Sequence, residues 1–362
     1  DNSSGMWIGS ELSSRNNTYR LSVLDFSLYS GVCGIVIFLA EMYKKTKHGC
    51  YLEICKKSVS HIIHNSNKLT LSPSMYNGLG SISYTFFYLY EITADTYYKF
   101  QGEKYFNEMI NKIQSDDIEF DLLDGLAGNI IFCVELYEKY NDNIYLNYAY
   151  NLAILLKGKL RDEKDKLLTG LGHGTSGIAL AFNRISEYYI DFKTNVEEMM
   201  EYENSNYNES IFNWKDLRKK INTDNFNVNY WCHGRPGILL SKAIIYEGNF
   251  INDSKNINYK EIYDISYKQT KLMKRISLCH GIFGNLEIFK MIADKIDSSY
   301  SRREIQKYKE KVLKEDDNKV QRQIKSMLNN NLIGLMTGVS GIGLSLIQSE
   351  EDTANPLLLK LP

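Results

Sequence analysis

Two kinds of apolar segment alternate along this chain, with glycine turns between them. Ile35 to Tyr43 is almost continuously apolar, the pattern of a helix buried on all sides. After a polar turn, Tyr51 to His64 places Leu52, Cys55, Val59 and Ile62 at helical spacing, with Lys56, Lys57 and Ser60 between them. That spacing predicts a helix with one buried face. The same pair recurs at Asn129 to Tyr137 and Tyr145 to Leu156. A Gly-x-x-Gly element precedes the inner segments, at Gly31, Gly125, Gly174, Gly234, Gly281 and Gly338, with a weaker copy from Gly78 to Ser81. Its starts lie 47, 47, 49, 60, 47 and 57 residues apart, a near-constant period that marks a repeat architecture. Seven such pairs predict an all-α chain closed into an α/α toroid, with seven inner and seven outer helices. The competing arrangement is an open solenoid. Proline occurs only at 73, 236, 356 and 362, as long helices require.

The two longer steps predict insertions. Residues 184–229 are rich in Asn, Tyr and charge, including Glu197, Glu198, Glu201, Glu203 and Lys215 to Lys220. They read as a solvated surface helix and loop beside the Cys232 turn. Residues 301–326 read as a charged, solvated helix. Residues 1–25 read as a lead-in segment anchored by Trp7.

Register singles out the candidate chemistry. Cys232 and Cys279 each stand two residues before a motif glycine, and His173, His233 and His280 each stand one before. They come from three successive repeats, so side-by-side packing brings them to one patch. Two thiols and one imidazole suit Zn²⁺ in a three-ligand site with a fourth position open, the arrangement of catalytic rather than structural zinc. Spacing leaves His233 and His280 equivalent as the third ligand. His173 is then the imidazole left for acid or base work. Asp124 shares the histidines' register and Asp121 lies one turn earlier; either carboxylate is placed to orient an imidazole. His48, Cys50, Cys55, His61 and His64 form a second group of ligand-type residues, read as core packing and outer surface. Cys33 and Cys133 read as core.

Composition narrows the possibilities. The net charge of −1 provides no field for nucleic acid. No apolar run reaches the ~18 residues of a membrane span. Six cysteines in 362 residues are too sparse for a disulfide scaffold and favour a reducing, cytoplasmic setting. There is no phosphate-binding Gly-x-x-x-x-Gly-Lys-Ser/Thr loop.

The glycine motifs, the sequence Gly170-Leu171-Gly172-His173-Gly174, Trp231-Cys232-His233-Gly234, Cys279-His280-Gly281, Leu28-Tyr29 before Gly31 and the Pro356-Leu357-Leu358-Leu359 ending resemble the lanthionine synthetase C-like cyclases. They look most like the cyclase domain of class II lanthipeptide synthetases. The resemblance covers essentially the whole chain. It implies one cyclase domain over 1–362, forming the C-terminal part of a larger synthetase with an upstream dehydratase domain. It implies one Zn²⁺ held by Cys232, Cys279 and His280, with His173 and Asp121 catalytic. The implied reaction joins Cys thiols of a ribosomal precursor peptide to dehydroalanine or dehydrobutyrine, giving thioether rings. Trp231, His233 and Arg235 flank the Cys232 turn as candidate substrate-contacting residues. Some stand-alone relatives carry an Arg shortly before the Trp-Cys pair; Phe226 to Asn229 fill that stretch here. Alternatives are another zinc-thiolate transferase, of glutathione or prenyl type, or a helical-repeat binding protein with structural zinc.

Overall fold

The structure is a computed structural model that describes residues 4–12, 19–114, 118–218, 228–247, 257–296, 300–314, 319–349, 352 and 354–362. Its α-helices run in order as α1 (Val32–Thr46), α2 (Gly49–Asn65), α3 (Leu79–Thr93), α4 (Thr96–Ile113), α5 (Leu126–Tyr140), α6 (Asn143–Asp162), α7 (Thr175–Ser186) and α8 (Lys193–Ser205). They continue as α9 (Arg235–Ile245), α10 (Tyr259–Leu272), α11 (Ile282–Ile292), α12 (Arg302–Lys314), α13 (Lys319–Asn329) and α14 (Val339–Ile347). The strands are short: β1 (Ile8–Leu12), β2 (Tyr19–Val23), β3 (Tyr207–Asn208) and β4 (Asn213–Trp214).

Seven helices begin directly after a motif glycine: Gly31, Gly78, Gly125, Gly174, Gly234, Gly281 and Gly338 are the N-caps of α1, α3, α5, α7, α9, α11 and α14. These are the inner helices of the sequence pattern. In α3 every residue from Leu79 to Leu89 is buried, and in α5 every residue from Leu126 to Leu136. The helix that follows each of these two is one-sided. Its start is built by a left-handed residue and then a capping aspartate: Ala94 and Asp95 before α4, Asn141 and Asp142 before α6. The aspartate side chain accepts from the second helical N–H at 3.0 Å in both turns, satisfying a donor that the helix itself leaves open.

The chain forms two compact units. The first comprises Asp1–Asp117, Ile276–Leu278 and Lys309–Pro362. In it α1 lies between α14 and α3, while α2 covers α1 and α4 covers α3. Tyr76 donates its hydroxyl to the carbonyls of Pro356 and Leu357 at 3.1 and 3.0 Å, tying the chain's last turn to the second repeat. The second unit comprises Ile118–Arg275 and Cys279–Tyr308. There α5, α7, α9 and α11 pack in sequence order, with α6 on α5, α8 on α7, and α10 against both α9 and α11.

Close packing between successive repeats depends on the second motif glycine. A Cβ on Gly237 would lie 1.8 Å from the Trp231 carbonyl oxygen and 2.7 Å from the Leu171 side chain of the preceding repeat. Neither backbone nor buried leucine can retreat. Gly237→Ala is therefore expected to cost about 3 kcal/mol of stability, measured by urea denaturation. An unchanged midpoint would mean that this turn is not tightly held.

Several expectations need correction. The lead-in is an antiparallel hairpin, with Ile8 opposite Val23. Trp7 does anchor it, donating its indole N–H to Ser58 on α2 at 2.8 Å. Residues 184–229 are not simply a surface excursion, because α8 within them is the outer helix of the fourth repeat and buries Val196, Met199, Met200 and Glu203. Their stretch 219–227, including part of Lys215 to Lys220, lies outside the described residues. Residues 301–326 hold two helices rather than one, and Lys309 is buried with its ammonium on the Ser345 carbonyl at 3.3 Å. After α11 two helices precede α14, so the inner-outer alternation is not uniform. Among the described residues, no helix is long and apolar enough to cross a membrane.

Candidate active and metal site

The turns before α5, α7, α9 and α11 lie side by side in the second unit. Leu123 donates its N–H to the Gly172 carbonyl at 3.3 Å, and Gly172 donates to the Cys232 carbonyl at 2.9 Å. The Cys232 thiol reaches the Cys279 carbonyl at 3.7 Å. The first two contacts are backbone to backbone, so the turns before α5, α7 and α9 are joined without flexible side chains.

Cys232, Cys279 and His280 bring their sulfur and ring-nitrogen atoms within 4.8 Å of one another. The Cys279 sulfur is 3.8 Å from His280 Nε2, near the roughly 3.5–4 Å that separates ligands around a tetrahedral zinc. Both thiols are buried, 1% exposed. The Cys279 contact first, and burial second, push the Cys232 thiol well above its usual value. Two thiols held this close resist losing their protons, and a divalent cation removes that resistance. The donor set therefore fits Zn²⁺. His233 is turned elsewhere: its ring stacks on His173, centroids 5.5 Å apart. Burial, with the charges of Arg218 and His173, pulls it down to about 3, so it is neutral. Tyr230 sets its ring edge-on to His280 at 5.2 Å.

His173 forms the second feature. Its Nδ1 is 2.6 Å from Asp121 Oδ2. The other Asp121 oxygen accepts the N–H of Asp124 at 2.7 Å, which locks the carboxylate in place. Register favours Asp124, but the bond to His173 comes from Asp121; Asp124 stands close by and adds charge. Burial is the largest single influence on His173 and lowers its pKa. The Asp121 hydrogen bond, followed by the Asp121 and Asp124 charges, outweighs it, and the net shift is upward from 6.5. The pair therefore contributes stability in full below the ordinary histidine value, and loses it as pH rises through the raised one. Asp121→Asn is expected to move the His173 titration downward, followed by NMR of the ring protons. A titration unmoved by the substitution would break the link between the two residues.

A sequence profile of lanthionine synthetase C-like proteins matches residues 22–359. The chain belongs to that family. It is 27% identical over 374 residues to the lacticin 481/lactococcin biosynthesis protein LcnDR2 of Lactococcus lactis subsp. lactis, an alignment covering 94% of this chain and 37% of that protein. The nisin biosynthesis protein NisC of the same organism is 23% identical over 321 residues, covering 76% of this chain and 75% of NisC. The chain thus spans little more than a third of LcnDR2. Among solved structures, nisin cyclase matches with a TM-score of 0.69 at 19% identity, covering 92% of each chain. This likeness shows the fold, an all-α α/α toroid.

Two residues expected to contact substrate face inward in this family member. Arg235 is 1% exposed, and its guanidinium donates to the carbonyls of Phe212 and Ile211, both at 2.7 Å, and to Gln269 Oε1 at 2.8 Å. It fastens the β3–β4 turn and has no surface to offer. Trp231 is fully buried.

Sequence reasoning missed other residues. Glu203, read as solvated, is fully buried. Its carboxylate accepts from Gly170 N–H at 3.1 Å and from the hydroxyls of Thr175 and Ser176, each at 2.8 Å. Burial raises its pKa, and these donors oppose the rise. Gly170 itself sits at φ 101, a conformation that only glycine adopts readily. Glu203 thereby braces the turn that carries His173. Arg218 forks onto Asp216, with the closest contact at 2.6 Å, and its charge is felt at Cys232 and His233. Its signal was hidden inside a charge-rich run. His61 and His64 make contacts within their own helix, to Asn65 and Ser60. Cys33 and Cys55 are buried thiols, each pushed up to about 12 by desolvation.

Proposed function

We propose that this chain is a zinc-dependent peptide cyclase. It adds Cys thiols of a dehydrated precursor peptide to dehydroalanine or dehydrobutyrine, forming lanthionine or methyllanthionine rings. One observation carries the proposal: a thiol-thiol-imidazole donor set lies on turns adjoining an Asp121–His173 pair. Family membership and the names of LcnDR2 and NisC supply the chemical context.

Cys232, Cys279 and His280 would hold the ion. Bound there, zinc would lower the pKa of a substrate thiol so that it reacts as a thiolate. The sulfur lone pair then forms the S–C bond at the β-carbon, and the former double-bond pair becomes an enolate. His173, protonated and held through Nδ1 by Asp121, returns a proton from Nε2 to the α-carbon. The thiol proton lost at the start replaces it, so the reaction is an isomerisation. The upward shift of His173 suits a group that must carry a proton near neutral pH. His233, neutral and stacked on His173, limits the ring's freedom to swing.

The cysteines are all free, which agrees with a reducing, cytoplasmic location. The greater length of LcnDR2 is compatible with an upstream dehydratase domain joined to this chain. On that reading the residues described here perform addition, not dehydration.

Because cyclisation leaves the mass unchanged, the test counts thiols. The protein is incubated with a pre-dehydrated, Cys-containing peptide, and free thiols are alkylated and counted by mass spectrometry. Thiol loss faster than in a protein-free control is expected. No enzyme-dependent loss would overturn the proposal.

A further inference from the structure

Every repeat has a position directly after its glycine element. Five repeats fill it with isoleucine: Ile35, Ile82, Ile178, Ile238 and Ile342. Two fill it with asparagine, Asn129 and Asn285. The position is buried in all seven, at 2% exposure or less. An amide at an apolar register position costs free energy unless it finds partners.

Asn285 stands on α11, six residues after Cys279 and five after His280. Its amide nitrogen donates to the Asn229 carbonyl at 2.7 Å and to the Thr270 hydroxyl at 2.9 Å. Its amide oxygen has no hydrogen-bond partner, so the residue is held by its donors. Reversing the amide would set that oxygen against the Asn229 carbonyl. Asn229 stands three residues before Cys232. It opens a turn that the Tyr230 N–H closes on the His233 carbonyl at 3.0 Å. The Asn229 side chain is fixed as well. Its nitrogen donates to the Ser266 carbonyl at 3.0 Å and the Thr270 hydroxyl at 3.1 Å, and its oxygen accepts from the Ser266 hydroxyl at 2.5 Å. Thr270 spends its own proton on the Ser266 carbonyl at 2.9 Å. Ser266 and Thr270 lie on α10 and are fully buried.

One amide on the helix that follows Cys279 thus grips the base of the Cys232 turn. Backbone pairs join the turns before α5, α7 and α9, and Asn285 carries that series of links on to α11. We propose that Asn285 is a positioning residue for the metal site, setting the spacing of the Cys232 and Cys279 thiols before an ion arrives. This rests on the zinc-cyclase reading. Ligands held in place beforehand bind an ion without first being ordered, and groups that orient metal ligands contribute about 10–100-fold in affinity.

The fold itself supplies the test variant. Asn285→Ile removes the donors and installs the side chain that five other repeats carry there. Thr270→Val removes the shared hydroxyl at nearly unchanged shape, and Thr270→Ser keeps it. Tyr76→Phe, which loses its bonds to Pro356 and Leu357, serves as a control for general loosening. Zinc affinity is measured by competition with a chromogenic chelator, without peptide. It should fall about 10–100-fold in Asn285→Ile and by a smaller factor in Thr270→Val. Thr270→Ser and Tyr76→Phe should match wild type. Co²⁺ in place of zinc should show altered visible bands in Asn285→Ile, because ligand geometry sets them. Wild-type zinc affinity and cobalt spectrum in both Asn285→Ile and Thr270→Val would overturn the proposal. An equal fall in Tyr76→Phe would overturn it too. Weakened zinc binding by the variants of a protein that consumes no thiols would remove the cyclase reading and leave the positioning role standing. Unchanged zinc binding by the variants of an active cyclase would do the reverse.

Discussion

Cys279→Ala should abolish zinc binding and thiol addition together. Wild type is expected to carry close to one zinc per chain, and the variant close to none, by metal analysis of the purified proteins. Thiol consumption should fall by about a thousandfold, since several kcal/mol of charge stabilisation are lost with the ion. The physical reason lies in the ligand count. Among the described residues, only Cys232 and His280 stand beside Cys279 to share the ion. Two protein ligands hold zinc far less well than three. A chelator should reproduce the loss in wild type, with recovery on adding zinc back. Cys279→Ala with full zinc content would refute the ligand set. Full activity without zinc would refute the metal's part in the reaction.

His173→Ala should separate proton transfer from metal binding. A positioned general acid contributes about 10²–10⁴-fold, and kcat should fall by that amount while zinc content stays at the wild-type level. Asp121→Asn should cost less, about 10–100-fold, the range seen when a group that orients a functional histidine is lost. Its pH profile should also change. The raised pKa of His173 comes from Asp121, so in the variant the fall of rate with rising pH should begin earlier. A His173→Ala enzyme that cyclises at the wild-type rate would exclude this imidazole from the chemistry. If zinc were lost as well, the two functions would not be separable, and His173 would belong to the metal site.

The comparison between sequence and structure turns on which contacts are periodic. The seven inner helices start where the glycine period places them, because the same local geometry is needed seven times. The convergence of Cys232 and Cys279 follows from that period too, since equal register on neighbouring repeats means spatial proximity. Register fails where two residues share it. His233 and His280 are equivalent by spacing, yet one stacks on His173 and the other approaches the Cys279 sulfur. Asp124 has the better register, yet Asp121 makes the bond. Side-chain direction within a turn decides such cases, and a one-dimensional pattern does not carry it.

Charge was the least legible property. Glu203 and Lys309 look like solvated residues in sequence and Arg235 like a substrate contact, and all three are buried. Each is retained by acceptors or donors far along the chain: Gly170 for Glu203, Ser345 for Lys309, Phe212 and Ile211 for Arg235. The sequence by itself determined the helical class, the repeat and the register of the thiols and imidazoles, because local propensity and hydrophobic period specify them residue by residue. Only the tertiary structure decided which imidazole meets the sulfurs, which carboxylate holds His173 and which charges are buried. For the carboxylate and the buried charges the hydrogen-bond partners stand 23 to 52 residues away, and the free energy of a buried polar group is set by that partner rather than by its neighbours in the chain.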